Sequence, residues 1–139
     1  MASTVELSSA ANQTEQLNVR FDQPHLLSAL CALNADAYDL ADFGIVAMGL
    51  DHVVTAYNLW ESRLSGLSPA NVIGRHFFTE IAPCTNNYMV SLRYEAAELD
   101  EMVNYVFSYR LRPVKVRLRL LKSAEQGRQF LVVEREDRP

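Results

Sequence analysis

The sequence predicts an α+β fold: one five-stranded antiparallel sheet flanked by helices and preceded by a small N-terminal helical cap. Three features carry that expectation. The stretch VKVRLRLL (114–121) alternates strictly, with Lys115, Arg117 and Arg119 on one face and apolar residues on the other, as a strand covering a core requires. Strand-like segments come as two, then three, separated by short helical pieces and a longer helix. Leu26, Leu27, Leu30 and Leu33 follow Pro24 at helical spacing.

Residues 1–20 are polar and rich in Ser, Asn and Gln, which predicts poor order at the start. Residues 21–42 read as the cap, with a second short turn from Asp36 to Leu40. GIVAM (44–48), a turn at Gly49–Asp51 and HVVTAYN (52–58) read as a strand–turn–strand hairpin. Between 59 and 82, Gly66, Pro69 and Gly74 break the chain into short helical pieces. A longer helix is expected from about Asn86 to Glu98, with Val90, Leu92, Ala96 and Leu99 at mixed helical spacings. MVNYVFSYRL (102–111), VKVRLRLL and QFLVVE (129–134) supply the last three strands.

The chain has 139 residues, of which 49% are hydrophobic and 22% charged. That fits one globular domain, divided here into an N-terminal extension and cap (1–42) and a core (43–136). No apolar run is long enough to span a bilayer and the start of the chain has no signal-peptide pattern, so a cytoplasmic protein is expected. The net charge of −4 argues against nucleic-acid binding. Its distribution is uneven: seven acids and one base up to Asp51, then six bases and no acid from Arg110 to Lys122. Each run reads either as a solvated face or as an acidic N-terminal segment docked on a basic sheet, a docking that salt would weaken. Cys31 and Cys84 are not expected to form a disulfide in a reducing compartment. His25, His52 and His76 are scattered, without metal-ligand spacing.

The segment NVIGRHFFTEIAPCT (71–85) is more specific. Its V-I-G-x-x-F-F and A-P-C-T elements stand with F-G at 43–44, Y-N-x-x-E at 57–61 and Y-x-F-x-Y-x-x-x-P-x-K-V at 105–116. In this order and spacing the chain resembles the photoactive yellow protein family of PAS-domain photoreceptors over roughly residues 43–136. The resemblance implies a PAS fold, p-coumaric acid (4-hydroxycinnamic acid) joined as a thioester to Cys84, and blue-light isomerisation from trans to cis. Signalling would follow from proton transfer by Glu61 and rearrangement of the cap, toward an unknown downstream signalling protein. No catalytic or metal residues are implied. Neither a nucleic-acid nor a membrane partner is expected, and the chain should be a monomer or weak homodimer.

The residues themselves bear on these roles. Cys84 lies between Pro83 and the expected helix start, where backbone N–H groups and the helix dipole would favour the thiolate. Read without its flanking motif, it is a buried, inert cysteine, and Cys31 keeps that reading. Tyr57 and Glu61 match the family positions that grip the chromophore phenolate. A tyrosine hydroxyl donates, a glutamic acid donates only when protonated, and a buried anion needs such donors. On spacing alone they read as a core tyrosine beside an exposed glutamate at a helix start. Ser65 takes the position of a threonine that donates to the tyrosine. Phe77, Phe78, Tyr105, Phe107 and Tyr109 read as core or pocket wall, with Phe107 at a chromophore-contacting position.

Two departures stand out. Leu67 replaces an arginine that covers the chromophore ring, so a positive charge is missing near the pocket mouth and the carboxylate left by proton transfer is expected to have no cation nearby. Leu111 replaces a methionine that assists the return to the dark state. Slow recovery is therefore expected, and Leu111→Met should accelerate it; an unchanged recovery rate would refute that. The segment after Cys84 is also shorter than in the best-known members. Two other readings compete: a chromophore-free PAS module for ligand binding or dimerisation, and more distantly a thiol enzyme using His76 as base.

Overall fold

The computed structural model describes residues 19–108 and 112–135. Helices α1 (Leu26–Cys31) and α2 (Ala35–Tyr38) precede strands β1 (Gly44–Met48) and β2 (Val54–Tyr57). Helices α3 (Leu59–Ser65) and α4 (Pro69–Val72) follow, then a π-helical turn (Phe77–Ile81) and two 3-10 turns (Pro83–Thr85, Ser91–Glu95). Strands β3 (Glu98–Phe107), β4 (Val114–Ser123) and β5 (Arg128–Arg135) close the order. All strand pairs are antiparallel, in the spatial order β2-β1-β5-β4-β3.

Period-2 alternation divides the sheet into two buried faces. Val46, Met48, Val103, Phe107, Val116, Leu118, Leu120, Leu131 and Val133 join Phe77, Phe78, Val90 and Tyr94 on one. Ile45, Ala47, Leu121, Phe130 and Val132 meet the cap residues Phe21, Leu26, Leu30 and Tyr38 on the other. Helical segments thus cover both faces, and among the described residues the cap is what covers the second.

The basic face of β4 is mixed: Lys115 is exposed and Arg117 half-exposed, whereas Arg119 docks the cap through backbone carbonyls rather than acidic side chains. Arg119 is buried, and its Nη1 donates to the carbonyls of Phe21 (2.9 Å) and Gln23 (2.6 Å). Its ion-pair partner is Asp100 of β3, through two bonds of 2.8 and 2.9 Å. Arg117 lies over the Phe21 ring at 5.0 Å. Arg128 stacks on Phe130 at 4.9 Å while donating to the Cys31 carbonyl and the Tyr38 hydroxyl. Guanidinium forks reach carbonyls and ring faces in a way that lysines cannot.

Two elements differ from expectation. No continuous helix forms over 86–98. Asn87 Oδ1 accepts from the amides of Met89 and Val90, and Asn86 Oδ1 from the Ser91 hydroxyl. These local bonds compete with helix hydrogen bonds, so the segment stays in tight turns. Strand β3 begins at Glu98, four residues before the expected start, and pairs with β4 from Glu98↔Ser123 onward. Its first residues, ELDE, alternate between one buried and three exposed positions, which hid the strand.

His52 sits in the β1–β2 turn with φ 68, and its Nδ1 lies 2.9 Å from Gln129 Nε2. Burial pushes its pKa below the ordinary 6.5, helped by His76 and Lys122 and opposed by Asp51. The unfolded chain therefore binds this proton more readily, and stability should fall as pH drops through about 6.5 toward the lower folded-state value. Urea midpoints between about pH 7.5 and 5.5 should show that decline, and His52→Asn, which tolerates the left-handed backbone, should flatten it. Equal acid sensitivity in both proteins would exclude His52 as the cause.

Candidate functional site: a buried carboxyl, a tyrosine and a half-buried cysteine

Asn58 organises one end of the site. Its side chain caps α3 by accepting from Glu61 N (3.2 Å) and also accepts from Ile45 N (2.9 Å). Its Nδ2 donates to the carbonyls of Tyr38 and Phe43, both at 2.9 Å. Every hydrogen-bonding atom of that amide is used, which fixes where β2 ends and α3 begins. Tyr57 is then the last residue of β2, and its hydroxyl donates to Ser65 Oγ in the last turn of α3 at 2.9 Å. Ser65 Oγ also accepts from Leu67 N at 3.1 Å, so the serine is positioned to hold the tyrosine ring's polar tip.

Glu61 is only 2% exposed, which excludes the surface reading. Its burial has two structural causes. Gly44 leaves space for it: a Cβ there would lie 2.3 Å from Glu61 Oε1 and 3.1 Å from the Val133 side chain. Arg135, at the end of β5, donates from Nη2 to Glu61 Oε2 at 2.8 Å, with both side chains almost wholly inaccessible. The expectation of no cation near this carboxylate is therefore incorrect. Leu67 does pack on the core as an apolar residue, and the charge comes from the far end of the chain. Gly44→Ala should displace the carboxylate and cost about 1–3 kcal/mol as overpacking. Chemical denaturation would measure that, and an unchanged midpoint would mean the glycine is not the cradle.

Cys84 occupies the middle of the 3-10 turn Pro83–Thr85, is half-buried and is not disulfide-bonded. The expected helix N-terminus does not exist there. The nearby amides are already spent: Thr85 N donates to Ala82 O, Asn86 N to Pro83 O and Asn87 N to Thr85 O. A helix-dipole origin for thiolate stabilisation is thus removed. The turn is instead clamped at its carbonyl. Asn87 Nδ2 donates to Cys84 O at 3.1 Å, and the Tyr105 hydroxyl also donates to that carbonyl.

The two ends belong to one apolar cluster. Cys84 and Leu67 pack against the group containing Tyr57, Phe77 and Phe107, all three buried. Arg135 lies 5.7 Å from the Phe107 ring, which ties the Glu61 pair to the same cluster. Phe78 meets the rings of His52 and Tyr94. Leu111 and Tyr109 lie outside the described residues. Among the described residues no group of His, Cys, Asp and Glu could hold a metal ion.

Sequence reasoning missed Arg135, Asn87 and the clamping role of Tyr105. A signal for Arg135 existed: it continues the alternation Leu131, Val133, Arg135, which faces this cluster, while Glu134 faces the other way and pairs with Arg117. It stands one residue past the expected end of the last strand at Glu134, whereas β5 runs through Arg135.

A scan against protein-family models found no match. The chain is 30% identical to the photoactive yellow protein of Rhodothalassium salexigens over 84% of its own length and 97% of that protein. The photoactive yellow protein domain of the sensor histidine kinase Ppr from Rhodospirillum centenum is 33% identical, with a TM-score of 0.71 over 78% of this chain and 98% of that one. The PAS domain of an HTR-like protein from Haloarcula marismortui, 16% identical with a TM-score of 0.58, shares the fold. With nearly the full length of a relative matched at this identity and its architecture reproduced, the chain belongs to the photoactive yellow protein family and has a PAS fold.

Proposed function

We propose that this protein is a blue-light photoreceptor carrying p-coumaric acid as a thioester on Cys84. One observation supports this most: buried Tyr57 and half-buried Cys84 belong to one aromatic-lined cluster, which the contact of Arg135 with the Phe107 ring joins to buried Glu61. That donor set fits a phenolate at one end and an acyl carbon at the other. When bound, p-coumaric acid supplies the absorbing double bond whose trans-to-cis isomerisation is the input.

The chain's own residues do the rest. Cys84 would lose its thiol proton to solvent and its Sγ would attack an activated coumaroyl group, the C–S bond forming as the activating group leaves with its electron pair. Tyr105 and Asn87 hold the Cys84 carbonyl, so the attachment point stays fixed. Tyr57, whose hydroxyl donates to Ser65 in the free protein, would turn its proton to the phenolate oxygen while Ser65 donates to the tyrosine oxygen in exchange, and protonated Glu61 would be the second donor. Phe77, Phe107 and Leu67, which belong to or pack on this apolar cluster, would keep water from the anion. After light, Glu61 would give its proton to that oxygen and become a carboxylate beside Arg135.

The cap is coupled to that event through the start of α3. Asn58 caps the turn that carries Glu61 and donates to Tyr38 O in the cap, and Asp39 Oδ1 accepts from Leu59 N. A shift of α3 strains these bonds, and the cap loosens. Amide hydrogen exchange over residues 21–42 should accelerate under blue light; identical exchange in dark and light would rule out the cap as the moving part. A downstream signalling protein would read the freed surface.

The chemistry is tested by incubating purified protein with an activated coumaroyl ester. Intact mass should rise by one acyl group on Cys84 in the wild type, with no rise in Cys84→Ala. Acylation at Cys31, or none, would reject the assignment and leave a chromophore-free PAS module.

A further inference from the structure

We infer that Arg135 is the counterion of the site, holding Glu61 as a carboxylate in the free protein and favouring charge on Glu61 after light. The second half rests on the photoreceptor reading; the first does not. The Arg135–Glu61 contact is 2.8 Å, and the two side chains are 6% and 3% exposed. A guanidinium keeps its proton even when buried, so the positive charge at this position is permanent. It touches the carboxylate directly and faces the Phe107 ring, and so belongs to the same cluster as Cys84 and Tyr57.

The consequence is a charge-balanced cycle. Among the described residues the free site pairs one cation with one anion, Arg135 and Glu61. Accepting a phenolate adds a second anion, and Glu61 must take up one proton from solvent both to restore neutrality and to become a donor. Transfer of that proton after light moves the negative charge back to Glu61, where the ion pair of the free protein re-forms. The carboxylate is then paired rather than stranded. Arg135 contacts Glu61 directly, so it favours the state with charge there and slows the return.

The test uses the full chain, free and coumaroyl-loaded. Infrared spectra of the free protein, compared with Glu61→Gln, should show no protonated carboxyl band from Glu61, and Arg135→Gln should make one appear. A protonated Glu61 band in free wild type would overturn the proposal. In the loaded protein, Arg135→Gln should raise the proton-titration midpoint of the visible band by about one pH unit and speed dark recovery about tenfold. Arg135→Lys should stay close to wild type on both. If Arg135→Gln matches wild type in midpoint and recovery, the counterion role after light is refuted. Failure of Cys84 to take up the acyl group would sink the photoreceptor reading instead, and the infrared result would still decide the charge state of Glu61.

Discussion

Glu61→Ala should destabilise the free protein by about 3–5 kcal/mol, the largest single-residue effect expected at this site. The reason lies in what is left behind. Arg135 reaches the carboxylate from the last residue of β5, at 6% side-chain exposure. Removing Glu61 strips a buried guanidinium of its carboxylate, and the cost of burying that charge is no longer offset. Arg135→Met should cost a comparable amount. The combination Glu61→Ala with Arg135→Met should cost less than the sum of the two losses, because removing both charges also removes the desolvation cost. Urea denaturation of the four proteins closes the cycle. Additive losses would mean that the two side chains do not interact, against the 2.8 Å contact.

Arg119→Met should release the cap. Arg119 donates to the carbonyls of Phe21 and Gln23 and pairs with Asp100. Methionine fills similar volume but leaves the carbonyls without donors, at about 1–3 kcal/mol for each group that stays buried. Asp100 is half-exposed and water can serve it, so the ion pair itself adds little. The loss should fall on the cap more than on the sheet. Hydrogen exchange should quicken over residues 21–33 and change little in β4 and β5. Because the anchors are carbonyls held by a buried guanidinium, moderate salt should do little to the docking, unlike a docking made by surface charges. Uniform acceleration across the sheet would show instead that Arg119 supports the whole fold.

The sheet was legible because its strands alternate over both faces, and β4 shows this plainly. The turns around Cys84 were not. Asn86 and Asn87 redirect the chain with their side chains, and apolar spacing carries no record of that. At the site, Tyr57, Glu61, Ser65, Phe77, Phe107 and Cys84 could be named from family motifs, whereas Leu111 falls outside the described residues. The geometry adds what motifs omit. Gly44 in the F-G element is required by the carboxylate beside it, and the N of Y-N-x-x-E is the hub joining the cap, β1 and α3. Arg135 lies 74 residues from Glu61, so the alternation Leu131, Val133, Arg135 gives the face it occupies but not the partner it meets. The basic run was visible, but its targets are backbone carbonyls, which a count of charges cannot find.

The most direct measurement is the absorption spectrum of the coumaroyl-loaded wild-type protein before, during and after blue illumination. A phenolate held by Tyr57 and Glu61 beside Arg135 should give a visible band that bleaches in blue light and returns in the dark. Covalent loading of Cys84 with no visible band, or with a band indifferent to light, would contradict the presence of a light-sensitive anion in this pocket.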